Sequence, residues 1–187
     1  MYQGDILRDV PLSSVDSDDN VIRVQYPYLV VLSQDCDLQQ RDKRQDDAKN
    51  SYLNSFLPNI LLLPAFSAEQ LRDGKHLAEG FDVTQKRLDS DIWKTVVKNN
   101  NARYHFLRRD PNRQINDLVI DFKLYLTWPY KSFYSFYQRL YLASINELFR
   151  EDLAHRFSSY LARVPCPELS SPSKPLNEGH LGLHPEE

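Results

Sequence analysis

The residues of this chain that could do chemistry fall in three places. Directly after the apolar run Tyr26–Leu32 comes Ser33-Gln34-Asp35-Cys36-Asp37, in which two carboxylates flank a thiol. Asp35 and Asp37 suit a divalent cation, an acid and base pair, or hydrogen bonds from basic groups elsewhere, and strand ends are where scaffolds often present functional groups. The same residues also suit a plain turn, in which the carboxylates cap backbone N–H groups and Cys36 is a small buried hydrophobe. As a nucleophile, Cys36 needs a histidine base, and no spacing pairs it with His105 or His155. The two carboxylates beside it also repel the charge of a thiolate.

The second place is Ala102–Arg109, where alternation puts Tyr104 and Phe106 on one face and Arg103, His105, Leu107 and Arg109 on the other. With Arg108 and Arg113 close by, this reads as a half-exposed strand with a basic outer face. Guanidinium groups beside a histidine can bind a phosphate backbone and stabilise charge during RNA cleavage, while an aromatic ring stacks a base. A solvated edge strand guarded by charge explains the same residues. The third place holds Arg139 and His155-Arg156, and Arg156 follows Asp152 by four residues, so an ion pair along a helix accounts for it.

These residues need elements to position them. Ile6–Leu12 and the alternating Val21–Gln25, separated by the turn-rich Ser13–Asn20, predict a hairpin or meander. Tyr26–Leu32, β-branched and apolar, suits a central strand covered on both faces, with Pro27 tolerated near its start. Polar Gln39–Asn50 reads as an exposed loop or a solvated helix. Asn59–Pro64 is a second buried strand stopped by Pro64. Ser67 and Gln70 then match a capping box that opens a helix.

A further helix is expected over Asp89–Lys98, ended by Asn99-Asn100-Asn101, and a strand over Leu118–Leu126 with Ile120, Phe122, Leu124 and Leu126 on one face. Trp128–Tyr141 has no clean period. Ser144 and Glu147 form a second capping box, ahead of an amphipathic helix whose stripe is Phe149, Leu153, Phe157, Tyr160, Leu161 and Val164.

At 187 residues, with 41 % apolar and 26 % charged side chains, the chain predicts one globular domain over residues 1–164, followed by a flexible Pro- and Ser-rich tail over 165–187. A net charge of −3 argues against a generally basic nucleic-acid binder, so a polyanion must be met locally. Two distant cysteines and scattered histidines suggest neither a disulfide framework nor a metal site, and no cofactor is expected. Without an apolar run of spanning length or a basic leader, the expectation is a cytoplasmic protein with no membrane span.

With these elements in place, the order of motifs resembles the MazF/PemK family of toxin endoribonucleases. The resemblance is carried by Gly4-Asp5-Ile6, by Pro27 leading into Leu29-Val30-Val31-Leu32-Ser33, and by Ile60–Ala65 running into Ser67-Ala68, roughly the first third of the chain. It implies an α+β, mainly β fold: a small SH3-like barrel with inserted helices and a C-terminal amphipathic helix. It also implies metal-independent RNA binding or cleavage in a prokaryotic toxin or defence system, with a protein partner such as an antitoxin and a possible homodimer.

In that family a Thr or Ser after the second buried strand works with an Arg just before the Pro of the first. Ser67 matches the former, while Tyr26 holds the latter position and the preceding Gly-x-Glu segment is absent, leaving Arg103 or Arg23 to replace the Arg. On this reading Ser67, Arg103 and His105 are catalytic and Ser33, Asp35, Cys36, Asp37 and Arg109 contribute to binding. The rival expectation is a non-catalytic interaction module of a multi-component system, docking a partner through the amphipathic helix, exposed aromatics and tail.

Overall fold

The computed structural model of the chain describes residues 1–15, 19–42, 57–81, 83–113 and 115–163. The expected tail 165–187, with Cys166, and most of the mixed-charge segment Gln39–Asn50 lie outside the described residues. Within the described residues seven strands form one antiparallel sheet: β1 (Asp5–Val15), β2 (Val21–Val31), β3 (Asn59–Ser67), β4 (Tyr104–Leu107), β5 (Leu118–Asp121), β6 (Leu126–Pro129) and β7 (Tyr141–Ser144). The order along the sheet is β4-β5-β3-β2-β1-β7, and β6 also pairs with β3. Six helices accompany it: α1 (Asp35–Asp42), α2 (Ala68–Arg72), α3 (Ala78–Phe81), α4 (Ser90–Val97), α5 (Tyr130–Leu140) and α6 (Glu147–Leu161). The fold class is therefore α+β, dominated by the sheet. Among the described residues no helix is long and apolar enough to cross a membrane.

β1 and β2 form a longer hairpin than the sequence reading gave, paired from Ile6 with Val30 to Val15 with Val21. Pro27 sits inside β2 rather than near its start. It lies opposite Asp9, between the pairs Arg8–Tyr28 and Val10–Tyr26, and Asp9 takes a left-handed φ of 55° where a partner N–H is missing. Beyond the stretch of β2 that pairs with β3, the two strands continue as a ribbon. Its inward face carries Val10, Val24 and Tyr26 into a core shared with Tyr130, Phe133 and Tyr137 of α5.

Pro64 does not stop β3, which runs through to Ser67. On one edge β3 pairs with β6 from Asn59 to Leu62 and with β5 from Ala65 to Ser67, so Pro64 falls in the gap where no ladder N–H is required. The expected strand Leu118–Leu126 is divided for a related reason. The side chain of Asp121 accepts from the Lys123 N–H and starts a 3-10 turn over Phe122–Leu124, after which the chain re-enters the sheet as β6.

Ser144 is the last residue of β7 instead of a helix cap, and α6 begins at Glu147 after Asn146. Leu153 and Phe157 are buried against Phe122 and Ile120, but Phe149 and Leu161 of the expected stripe are 64 % and 47 % exposed. Leu118 of β5 and Ala143 of β7 meet in one apolar cluster, so the sheet curls until strands near its two ends approach each other.

Candidate functional site

The residues singled out in the sequence do not assemble. Ser33 accepts a hydrogen bond from the Leu61 N–H at one end of β3, and Ser67 lies six residues further along that strand, on the order of 20 Å away. Asp35, in the first turn of α1, accepts from the Gln3 N–H and pairs with Arg150 of α6 at 3.2 Å. It thus ties three segments together. Cys36 is exposed and unbonded to another cysteine, and its thiol lies 3.6 Å from the Gln34 side-chain oxygen. Asp37 is exposed in the same turn.

The basic outer face expected on Ala102–Arg109 is largely an inner one. His105 is 2 % exposed and rests against Phe122, and burial, with Arg156 adding to it, brings its pKa down to about 3. It is neutral at physiological pH and offers no positive charge to a phosphate. Arg103 makes a two-bond contact with the fully buried Asp121, at 2.8 and 2.6 Å. Removing one partner of such a pair strands a buried charge, at a cost of roughly 3–5 kcal/mol. Arg109 remains exposed, with its N–H held by Asp117. Ser67 precedes α2, but its hydroxyl makes no cap bond. His155 is exposed, and Arg156 donates to the carbonyls of Asn101 and Tyr104, fastening α6 to β4.

What the fold does build is a cleft of about 630 Å³ between the outer face of the β1–β2 ribbon and the α2–α3 segment. Alternation along β2 places Arg23, Gln25 and Pro27 on its wall, opposite the core-facing Val24 and Tyr26. Phe66 lies on another wall, and Gln70, Lys75 and His76 complete it. A Schellman turn delivers the last two: the Lys75 N–H donates to the Gln70 carbonyl and the Gly74 N–H to the Leu71 carbonyl. Gly74 has φ +73°, and a Cβ there would lie 2.0 Å from the Gln85 carbonyl oxygen, so only glycine fits.

Among the described residues Arg23 and Lys75 have no ion-pair partner, while Asp9, also on the cleft wall, is paired with Arg8 at 3.3 Å. His76 is 6 % exposed, meets the Phe66 ring edge-on at 4.9 Å, and has no hydrogen-bond partner for either ring nitrogen. Burial pushes its pKa below the ordinary value. Tyr26, on the other side of the strand, is 8 % exposed and packs on Phe81.

Of the cleft residues, sequence reading offered only Arg23 as a chemical group, while Pro27 and Gln70 entered it as markers of a strand and a helix start. Lys75 and His76 carry no periodic signal, and the one local clue is Gly74, a stop residue just after the capped segment that opens at Ser67. Among the described residues no three His, Cys, Asp or Glu side chains are grouped to hold a metal ion. No protein-family model matches this chain, and neither does any curated protein.

Proposed function

We propose that this chain is an RNA-binding protein of MazF/PemK-like type, a small SH3-like barrel of a toxin or defence system that holds single-stranded RNA in the cleft between the β1–β2 ribbon and α2–α3. The observation that carries this reading is a pair of exposed cations, Arg23 and Lys75, without an ion-pair partner among the described residues, lining one cleft with Gln25, Gln70 and the unsatisfied His76. Cations fix a phosphate backbone, and amides and a neutral imidazole then supply donors and acceptors to sugar or base edges. The location fits the resemblance, because Pro27 and Phe66 are on the cleft walls and flank the positions where the family keeps its working residues.

The same geometry favours retention over cleavage. Tyr26 faces the core, and Ser67 is not on the cleft wall. Incubating the full chain with a long unstructured RNA at low salt tests both halves: the RNA is retained and stays intact, Ser67→Ala behaves as wild type, and Arg23→Ala loses most of the retention. Wild-type protein that passes the RNA through unbound defeats the proposal. The rival reading, a protein-docking module, draws on Leu148 at 77 % exposure and Leu161 on α6. A copurifying protein lost on Leu148→Ser, without RNA retention, would support it instead.

A further inference from the structure

A second cavity, about 300 Å³, lies at the seam where β4 and β7 approach, on the side of β5 that carries Leu118. Its walls are mainly apolar, from Ile6, Leu107, Ile115 and Leu118. Its size is at the low end for small-ligand sites, enough for one planar heterocycle and too little for a dinucleotide. Three features of the lining point to what it takes. Phe149, at the start of α6, is 64 % exposed and lines the cavity, which leaves much of its ring surface available to a ligand. Asn146 precedes that helix without spending its side chain on a cap bond. His105 is nine-tenths buried and more, and its Nδ1 has no hydrogen-bond partner.

An unsatisfied buried nitrogen is costly to keep, and a ligand group that meets it removes that cost. The imidazole is neutral here, so it offers a ligand an uncharged hydrogen-bonding nitrogen and no positive charge. An amide, a neutral imidazole and an open aromatic ring are the groups with which proteins hold splayed-out bases. The exposed Arg108 also lines the cavity, where it can meet a neighbouring phosphate.

We propose that this seam cavity holds one unstacked nucleobase, stacked on Phe149 and hydrogen-bonded through Asn146 and His105. The inference rests on the RNA reading above, since the bound strand supplies the base. Nucleosides test it without phosphate, and therefore without the cleft. The full chain is titrated separately with adenosine, guanosine, cytidine and uridine, read by saturation transfer to the ligand protons. At least one nucleoside saturates, with transfer stronger to its base than to its ribose. Phe149→Ala, a substitution at an exposed position, weakens it at least tenfold, and Asn146→Ala weakens it less.

The proposal is overturned if no nucleoside saturates, if Phe149→Ala binds as wild type, or if indole binds equally and Asn146→Ala changes nothing. RNA retained by the cleft with no nucleoside bound removes the seam site alone. Nucleoside binding by a protein that does not retain RNA removes the cleft reading alone.

Discussion

Asp5 and His76 are both buried polar side chains, at 0 % and 6 % exposure, and their surroundings differ completely. Asp5 opens β1 and accepts hydrogen bonds from the Tyr2 N–H, the Tyr137 hydroxyl and the Ser144 hydroxyl, which joins the N-terminus to α5 and β7. Burial, together with this carboxylate, holds the Tyr137 phenol well above its usual pKa. Beside it Asp35 and Arg150 close a second polar contact onto Gln3. In the cleft, by contrast, His76 has no hydrogen-bond partner, and Arg23 and Lys75 are exposed. A carboxylate saturated with protein donors has spent its hydrogen-bonding capacity on the fold. Groups left unsatisfied on a concave wall keep theirs for a ligand.

The largest test of that contrast is Asp5→Ala. It leaves the Tyr137 and Ser144 hydroxyls and the Tyr2 N–H facing an empty site, and it should lower stability by roughly 3–5 kcal/mol in a denaturant titration. A loss below about 1 kcal/mol would mean the hub is not what joins the N-terminus to α5 and β7. Gly74→Ala comes next: its left-handed φ and the overlap with Gln85 should cost about 2 kcal/mol or more and displace Lys75 and His76, so RNA retention falls with stability.

A pH effect of similar size belongs to His105. The unfolded histidine titrates near 6.5 and the folded one at about 3, so between those values the unfolded state binds the extra proton. Stability is full above pH 6.5 and falls as the pH drops toward 3. From pH 7 to pH 5 the loss from this residue should be about 2 kcal/mol. Urea titrations of wild type and His105→Phe should show the steeper decline in the wild type.

His76→Leu carries the opposite sign from Asp5→Ala. Replacing an unsatisfied buried imidazole with an apolar group should raise stability by ~1 kcal/mol while RNA affinity drops, the signature of a side chain kept for binding. A destabilised variant with unchanged RNA affinity would place His76 with the structural residues.

How much of this was legible in the sequence depended on whether the signal was local. The β2 and β3 strands and α4 were readable from apolar runs and from the helix expected over Asp89–Lys98 with its Asn99-Asn100-Asn101 stop. α5 was not, because aromatic residues occupy both its buried positions, Tyr130, Phe133 and Tyr137, and its flank at Tyr134 and Phe136, which hides the 3.6-residue period. Ser144 imitated a helix cap because its spacing to Glu147 is right, yet its hydroxyl is taken by Asp5, 139 residues away in sequence. The site failed for the same reason. Arg103 and His105 alternate as an outer face should, but Asp121 and the packing of α6 turn that face inward, and neither is visible from the strand alone. The cleft draws on a ribbon, a strand end and a Schellman turn that only the tertiary fold brings together.

The salt dependence of RNA binding tests the cleft most directly. Fluorescence anisotropy with a labelled unstructured RNA, repeated over a range of salt, gives the slope of log affinity against log salt. Arg23→Ala/Lys75→Ala, which should change stability by less than about 0.5 kcal/mol, should flatten that slope by ~1.4, at about 0.7 for each single-strand phosphate that the protein no longer neutralises. A double variant with the wild-type slope and affinity would contradict the assignment of RNA to this cleft.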